Sequence, residues 1–148
     1  MKKIAGLALA VSLSLATAGC FEFTTKTTGP SDELKALAGN WSSDNIIPAA
    51  KSCTDFKWNV TELTGNTAAG SFSATCAGNL KVQGTAQGSL SGSVINWSAQ
   101  GTATAPDLPA CQISLRGTAT LKDDVIEVPY TGETCLGSVS GTQILHRR

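Results

Sequence analysis

Between Leu80 and Ala103 apolar and polar positions alternate almost without a break. Leu80, Val82, Ala86 and Leu90 share one parity, and after Gly92-Ser93 the same alternation resumes with Ile95, Trp97, Ala99 and Ala103. Period two belongs to a half-buried strand. A two-residue turn with glycine at its first central position predicts a hairpin with Leu90 opposite Ile95, Gly88 opposite Trp97, Ala86 opposite Ala99 and Gly84 opposite Gly101. One face is then dry, and the other carries Lys81, Gln83, Thr85, Gln87, Asn96, Ser98 and Gln100. Such a sheet, continued on both sides, is expected to curl and close on its apolar face.

Neighbouring segments repeat the pattern. A first strand starts at Trp41, followed by the long connection DNIIPAAKS; Phe56, Trp58 and Val60 mark a second, which turns at Gly65-Asn66. Phe72, Ala74 and Cys76 form the inner face of a third. A three-residue loop at Ala77-Gly78-Asn79 sets Cys76 by Leu80, Ala74 by Val82 and Phe72 opposite Gly84. Beyond the hairpin, APDLPA reads as a Pro-bounded loop, and Cys111, Ile113, Leu115, Gly117, Ala119 and Leu121 line the next strand. Asp123-Asp124 turns it, Ile126, Val128 and Tyr130 return with Tyr130 opposite Gly117, and a last strand runs from Ser138 to Arg147.

About eight short strands with tight connections predict an all-β fold, an antiparallel up-and-down barrel. A short helix from Asp32 to Ala38 is expected before the first strand, capped by Ser31 and stopped by Gly39. Three large rings face glycines, Phe72 with Gly84, Trp97 with Gly88 and Tyr130 with Gly117, which suits the taper of a small barrel. Gly-Thr-Ala recurs at Gly84, Gly101 and Gly117. Belts of small residues leave two readings open: a core filled by Trp41, Trp58, Trp97 and Phe72, or space for a ligand.

The first 20 residues do not share this alternation. Lys2 and Lys3 precede an apolar run and then small residues, the layout of an export signal. The run is short of the roughly 20 residues a spanning helix needs. Five cysteines in an exported chain leave one over after pairing. Cleavage after Ala18 would leave a soluble protein with a spare thiol. Ala18-Gly19-Cys20, however, resembles the end of a bacterial lipoprotein lipobox, with Thr17 where Leu is usual. That resemblance implies that Cys20 is acylated and is the mature N-terminus, and Phe21 after it implies the outer membrane. The division is then 1–19 signal peptide, 20–30 lipidated cysteine and tether, 31–148 barrel. A tether of about ten residues has a typical reach of roughly 18 Å.

Charge narrows the partners. The precursor has 11 basic and 11 acidic residues; without Lys2 and Lys3 the balance is −2. No basic patch points to nucleic acid or to acidic lipid headgroups. Membrane attachment is therefore expected through acyl chains alone.

Strand directions place Cys53, Cys76, Cys111 and Cys135 at one end of the barrel. The simplest pairing joins Cys53 to Cys76 and Cys111 to Cys135, with pairings across the mouth still open. Because the register sets Cys111 opposite Leu136, a bulge near Gly132 is expected to bring Cys135 across. The opposite end holds Trp41 and Arg147. There Gly39-Asn40-Trp41 after a short helix, with Arg147 near the end of the last strand, resembles the closed end of calycin barrels, the lipocalin, fatty-acid-binding protein and avidin group. The resemblance implies that Trp41 packs under the barrel base and Arg147 covers it. It extends from Gly39 to Arg147 and lacks the lipocalin Thr-Asp-Tyr motif and an avidin-type biotin site. The helix followed by Gly-x-Trp also resembles the start of periplasmic metalloprotease inhibitors, whose free N-terminus an acylated Cys20 would not supply.

No catalytic set is expected. His146, the single histidine, sits beside Arg147 at the chain end. No cysteine pair has zinc-site spacing. Asp123-Asp124 reads as a turn, and Glu62 near a turn reaches water. Neither metal nor cofactor is implied. Two non-enzymatic functions follow. The first is binding of a small apolar ligand or lipid by Trp58, Phe72, Trp97 and Tyr130, with Ile46, Ile47 and Leu108 at the mouth. The second is an envelope protein interaction module with a filled core that works through its loops.

Overall fold

The computed structural model describes residues 29–148. The expected signal peptide, Cys20 and the tether up to Thr28 lie outside the described residues. A one-turn helix, α1 (Asp32–Lys35), leads into eight strands: β1 (Gly39–Ser43), β2 (Cys53–Thr64), β3 (Thr67–Cys76), β4 (Leu80–Ser91), β5 (Val94–Ala105), β6 (Leu108–Lys122), β7 (Val125–Thr134) and β8 (Gly137–Arg147). Each strand pairs antiparallel with the next, and β8 closes on β1 into a barrel. Closure leaves no full-length edge to recruit another strand.

The predicted hairpin forms in the expected register, with Leu90 opposite Ile95, Gly88 opposite Trp97, Ala86 opposite Ala99 and Gly84 opposite Gly101. Gly92 takes a φ of +59°, a left-handed value that glycine adopts at no steric cost. The three-residue connection after β3 also sets Cys76 opposite Leu80 and Phe72 opposite Gly84. The helix is shorter than expected. Ser31 Oγ accepts from the Leu34 amide at 3.1 Å, but after Lys35 the bonds tighten: Leu37 and Ala38 donate to Leu34 and Lys35 at 2.9 and 3.1 Å. Gly39, at φ +112°, then turns the chain into β1.

Two irregularities in β2 depart from simple alternation. Register shifts fall between Thr54 and Lys57 and between Val60 and Glu62. The second resets the parity, so that Glu62 is exposed and Leu63 packs against the core. The segment APDLPA, expected as a loop, narrows to a two-residue turn at Pro106-Asp107, because Ala105 pairs with Leu108. Pro109 lacks an N–H for a ladder, and it lies at the irregular step between the paired positions Leu108 and Cys111.

Glycines serve a different purpose from the one the ring pairings suggested. A Cβ on Gly84 would stand 2.0 Å from the Gln100 carbonyl oxygen, and one on Gly101 2.3 Å from that of Gln83. Neighbouring backbones, rather than rings, thus occupy the space at this facing pair. Tyr130 keeps its expected register opposite Gly117, but its ring lies over Gly141 of β8, and the nearest side-chain atom to a Cβ on Gly117 is Trp97 Nε1, at 3.1 Å.

Both disulfides follow the simplest pairing, Cys53 with Cys76 and Cys111 with Cys135. The expected bulge near Gly132 is absent. The β6 to β7 ladder holds one register from Lys122 opposite Val125 to Ser114 opposite Glu133. Cys135 lies beyond the end of β7, in the turn to β8, where it is free of the ladder and can reach Cys111.

Candidate functional site

Three places could carry a function: the barrel interior, the cysteine-bearing mouth and the opposite base. Inside, Trp58, Phe72 and Trp97 line one cavity of about 30 Å³, together with Phe56, Ile95 and Val128. Phe56 packs edge-on against Phe72, with centroids 5.4 Å apart, and tilted against Tyr130 at 5.1 Å. These rings fill the space that the belts of small residues leave, and room remains for about one or two waters. The cavity brings together Trp58, Phe72 and Trp97 of the expected ligand set. Tyr130 belongs to the mouth, and Ile46, Ile47 and Leu108 are exposed on its rim.

The indole nitrogens of Trp58 and Trp97 are buried without a hydrogen-bond partner. A buried donor left unpaired costs about 1–3 kcal/mol. The third tryptophan differs, as Trp41 Nε1 donates to the Leu37 carbonyl at 2.9 Å.

At the mouth, β1 stops at Ser43, and the connection from Asp44 to Ser52 occupies the seam between β2 and β8. The Asn45 carbonyl accepts from the Asp55 amide at 2.8 Å and from Thr54 Oγ1. Lys51 and Ser52 carbonyls accept from the Ser140 and Ala77 amides at 3.0 and 2.9 Å, tying the connection to β8 and to the chain after β3. The Tyr130 hydroxyl donates to the Cys53 carbonyl and accepts from the Cys53 amide, and Gln143 Nε2 donates to the same carbonyl at 3.2 Å. Burial raises the Tyr130 phenol above its ordinary value, although the bonds to Cys53 and Ser52 pull it down. Leu136, in the β7 to β8 turn, reaches the connection between β3 and β4, where its Cδ1 takes the place a side chain on Gly78 would fill. The mouth is therefore covered.

Its outer surface carries large apolar side chains. Ile46 is 65% exposed and Ile47 77% exposed, and Leu108 and Leu136 stand exposed at the same end. Sequence reasoning found Ile46, Ile47 and Leu108 but missed Leu136. An apolar residue between cysteine and glycine in a turn, with no strand to bury it, was the available signal. Phe56, read only as a strand residue, proved to be the ring that joins the cavity to Tyr130.

The base is held by Arg147, which pairs with Trp41 across the β1 to β8 seam. Its guanidinium carbon lies 4.4 Å from the Trp41 ring centroid. The same group donates to the Ala38 carbonyl at 2.8 Å, to the Ala36 carbonyl and, through Nε, to Asp124 Oδ1 at 2.8 Å. A planar cation thereby covers the ring and satisfies carbonyls at the end of α1.

Chemistry at these sites is sparse. His146 Nε2 lies 3.5 Å from Asp44 Oδ2 on the outer wall. Among the described residues, no cluster of three or more His, Cys, Asp or Glu side chains could hold a metal ion, and no helix is long and apolar enough to cross a membrane. The class defined so far is an eight-stranded antiparallel meander barrel with a filled interior and a disulfide-bonded mouth that exposes four large apolar side chains. Comparison with protein-family models, with curated proteins and with solved structures finds no match.

Proposed function

We propose that this chain is a non-catalytic, lipid-anchored protein of the bacterial envelope, held to the outer membrane by acyl chains on Cys20, whose filled barrel presents its apolar rim to another envelope protein. The interior volume carries the choice over an enclosed ligand. At about 30 Å³ it is about a tenth of the few hundred Å³ that small-molecule sites occupy. Exposure supports the rim, because Ile46, Ile47, Leu108 and Leu136 are exposed at or beside connections of the cysteine end, and exposed apolar side chains on connections mark interaction surfaces. The anchor rests on Lys2-Lys3, the apolar run after them, Ala18-Gly19-Cys20 and the odd cysteine. Since α1 lies at the base, a chain anchored just before it holds the rim away from its own membrane.

Photo-crosslinking in intact envelopes tests the reading. A crosslinker at Ile47 is expected to give a discrete protein adduct, and one at Thr85 on the outer wall none. No adduct from Ile47, together with saturable tryptophan quenching by a fatty-acid probe, would favour a barrel that opens for a ligand. Palmitate labelling is expected in the wild type and lost in Cys20→Ala; label in neither would remove the anchor.

A further inference from the structure

The geometry points to a binding site for a sparsely charged, anionic sugar chain on the outer wall of the barrel, in a trough that crosses β5 to β8 around Arg116. The trough is a surface depression of about 560 Å³, within the range of roughly 300–1,000 Å³ that ligand sites occupy. Sheet register builds it. Ser98, Arg116, Thr131 and Ser140 stand in one row across four strands. The Ser140 amide donates to the Lys51 carbonyl at 3.0 Å, which brings the connection between β1 and β2 to the far end of that row. Lys51 and Arg116 thus line the same depression, and two strand spacings, about 10 Å, separate Arg116 from Ser140. An adjoining depression of about 440 Å³ shares Ser98, Arg116 and Thr131 with the first, so Arg116 stands where the two meet.

The chemistry of the lining selects the occupant. Among the described residues, neither Lys51 nor Arg116 has an ion-pair partner. A guanidinium fork matches two oxygens of a carboxylate or a phosphate. Around it the wall is neutral: Ser98, Gln100, Ser114, Thr131 and Ser140 line the trough, and each can both donate to and accept from a sugar hydroxyl. The one carboxylate in the lining, Glu133, accepts from Ser138 Oγ at 2.9 Å, which leaves two cations against one anion. A polymer with a phosphate at every unit, such as a nucleic acid, is held by more cations than that. A sugar chain with an occasional oxyanion matches both the charge and the row of hydroxyls. The trough lies on the side wall, so it stands independently of the rim and of the lipid anchor.

The test is an amide-shift titration of the full chain in detergent micelles. Four probes are compared: an oligosaccharide carrying one uronic acid, the same oligosaccharide carrying one sugar phosphate, their neutral parent, and inorganic phosphate alone. Saturable shifts are expected at Arg116, Thr131 and Ser140, with at least one charged oligosaccharide bound about tenfold or more tighter than the neutral parent and than inorganic phosphate, the effect of one charge-assisted hydrogen bond added to the hydroxyl contacts. The tighter of the two charged probes identifies the oxyanion, and either result supports the site. Arg116→Gln, an exposed change, is expected to weaken that probe about tenfold or more, and Lys122→Gln, which removes the same charge from the same strand outside the trough, to leave it unchanged. No saturable shift in the trough, equal binding of the neutral parent or of inorganic phosphate, or equal losses in the two variants would overturn the proposal.

Discussion

The Tyr130 hydroxyl donates to the Cys53 carbonyl at 2.7 Å and accepts from the amide of the same residue. Cys53 opens β2, and β1 pairs with β2 only between Gly39 opposite Val60 and Ser42 opposite Lys57. One phenol from β7 therefore supplies what the missing length of β1 would have supplied. Phe56, whose ring packs against Tyr130, helps to hold it in place.

Tyr130→Phe removes this stand-in and leaves the Cys53 amide buried without its partner. A loss of about 1–3 kcal/mol is expected in urea unfolding. Alkaline pH should reproduce part of it. Burial raises the folded-state phenol above its ordinary value of 10.0, so above that value the unfolded chain releases the proton first. Stability that is fully present below pH 10 is then lost as pH rises toward the folded-state value. The wild type should lose stability in that window, and Tyr130→Phe should lose less. Equal slopes for the two proteins would remove Tyr130 as the cause.

Arg147 joins three elements with one group: the Trp41 ring, the carbonyls that end α1 and Asp124 in the turn between β6 and β7. Lysine keeps the charge but not the planar fork. Arg147→Lys is expected to cost about 1–2 kcal/mol and to raise hydrogen exchange at Leu37 and Ala38 before the rest of the barrel. Uniform acceleration across all strands would mean that the base is not an independent fastening.

Much of this was legible from period two alone. Parity and the two-residue turn at Gly92-Ser93 gave the register of β4 and β5, and the three-residue connection after Cys76 carried it to β3. Four cysteines at one end followed from counting strands. What escaped were breaks in period: the bulge at Val60 to Glu62 that turns Glu62 outward, and the end of the ladder that frees Cys135 without a bulge at Gly132. Such breaks arise from closure of the barrel, which no single segment encodes. Volume was hidden for a related reason. Glycine belts can mean a hollow or a close approach of backbones, and only the distance from Gly84 to the Gln100 carbonyl separates the two.

That close approach can be tested at two glycines of different kind. A Cβ on Gly84 would meet backbone at 2.0 Å, whereas Gly92 has nothing within 4 Å and only a φ of +59°. Gly84→Ala is expected to cost about 3 kcal/mol through displacement of β5. Gly92→Ala should cost about 1 kcal/mol, the strain of a left-handed residue. Thermal melts of the two variants order them, and similar losses would mean that the strands at Gly84 can part without penalty.

The two disulfides should differ in access, and access decides which yields first. Cys53 and Cys76 are buried and directly opposite in the ladder, while Cys135 is exposed in a turn and its partner Cys111 is half-buried. Exchange begins with attack of a thiolate on a sulfur it can reach. Mild dithiothreitol followed by alkylation and mass spectrometry should therefore label Cys111 and Cys135 well before Cys53 and Cys76. Each link closes a separation of 23 or 24 residues, which corresponds to about 3 kcal/mol of loop-closure entropy. A Cys111→Ser, Cys135→Ser double variant is expected to lose about that amount with its barrel spectrum intact. Cys53→Ala with Cys76→Ala should lose more, because two buried sulfurs leave the core beside Tyr130 as well. Equal losses would mean that entropy alone accounts for both links, and that the packing around Cys53 contributes nothing.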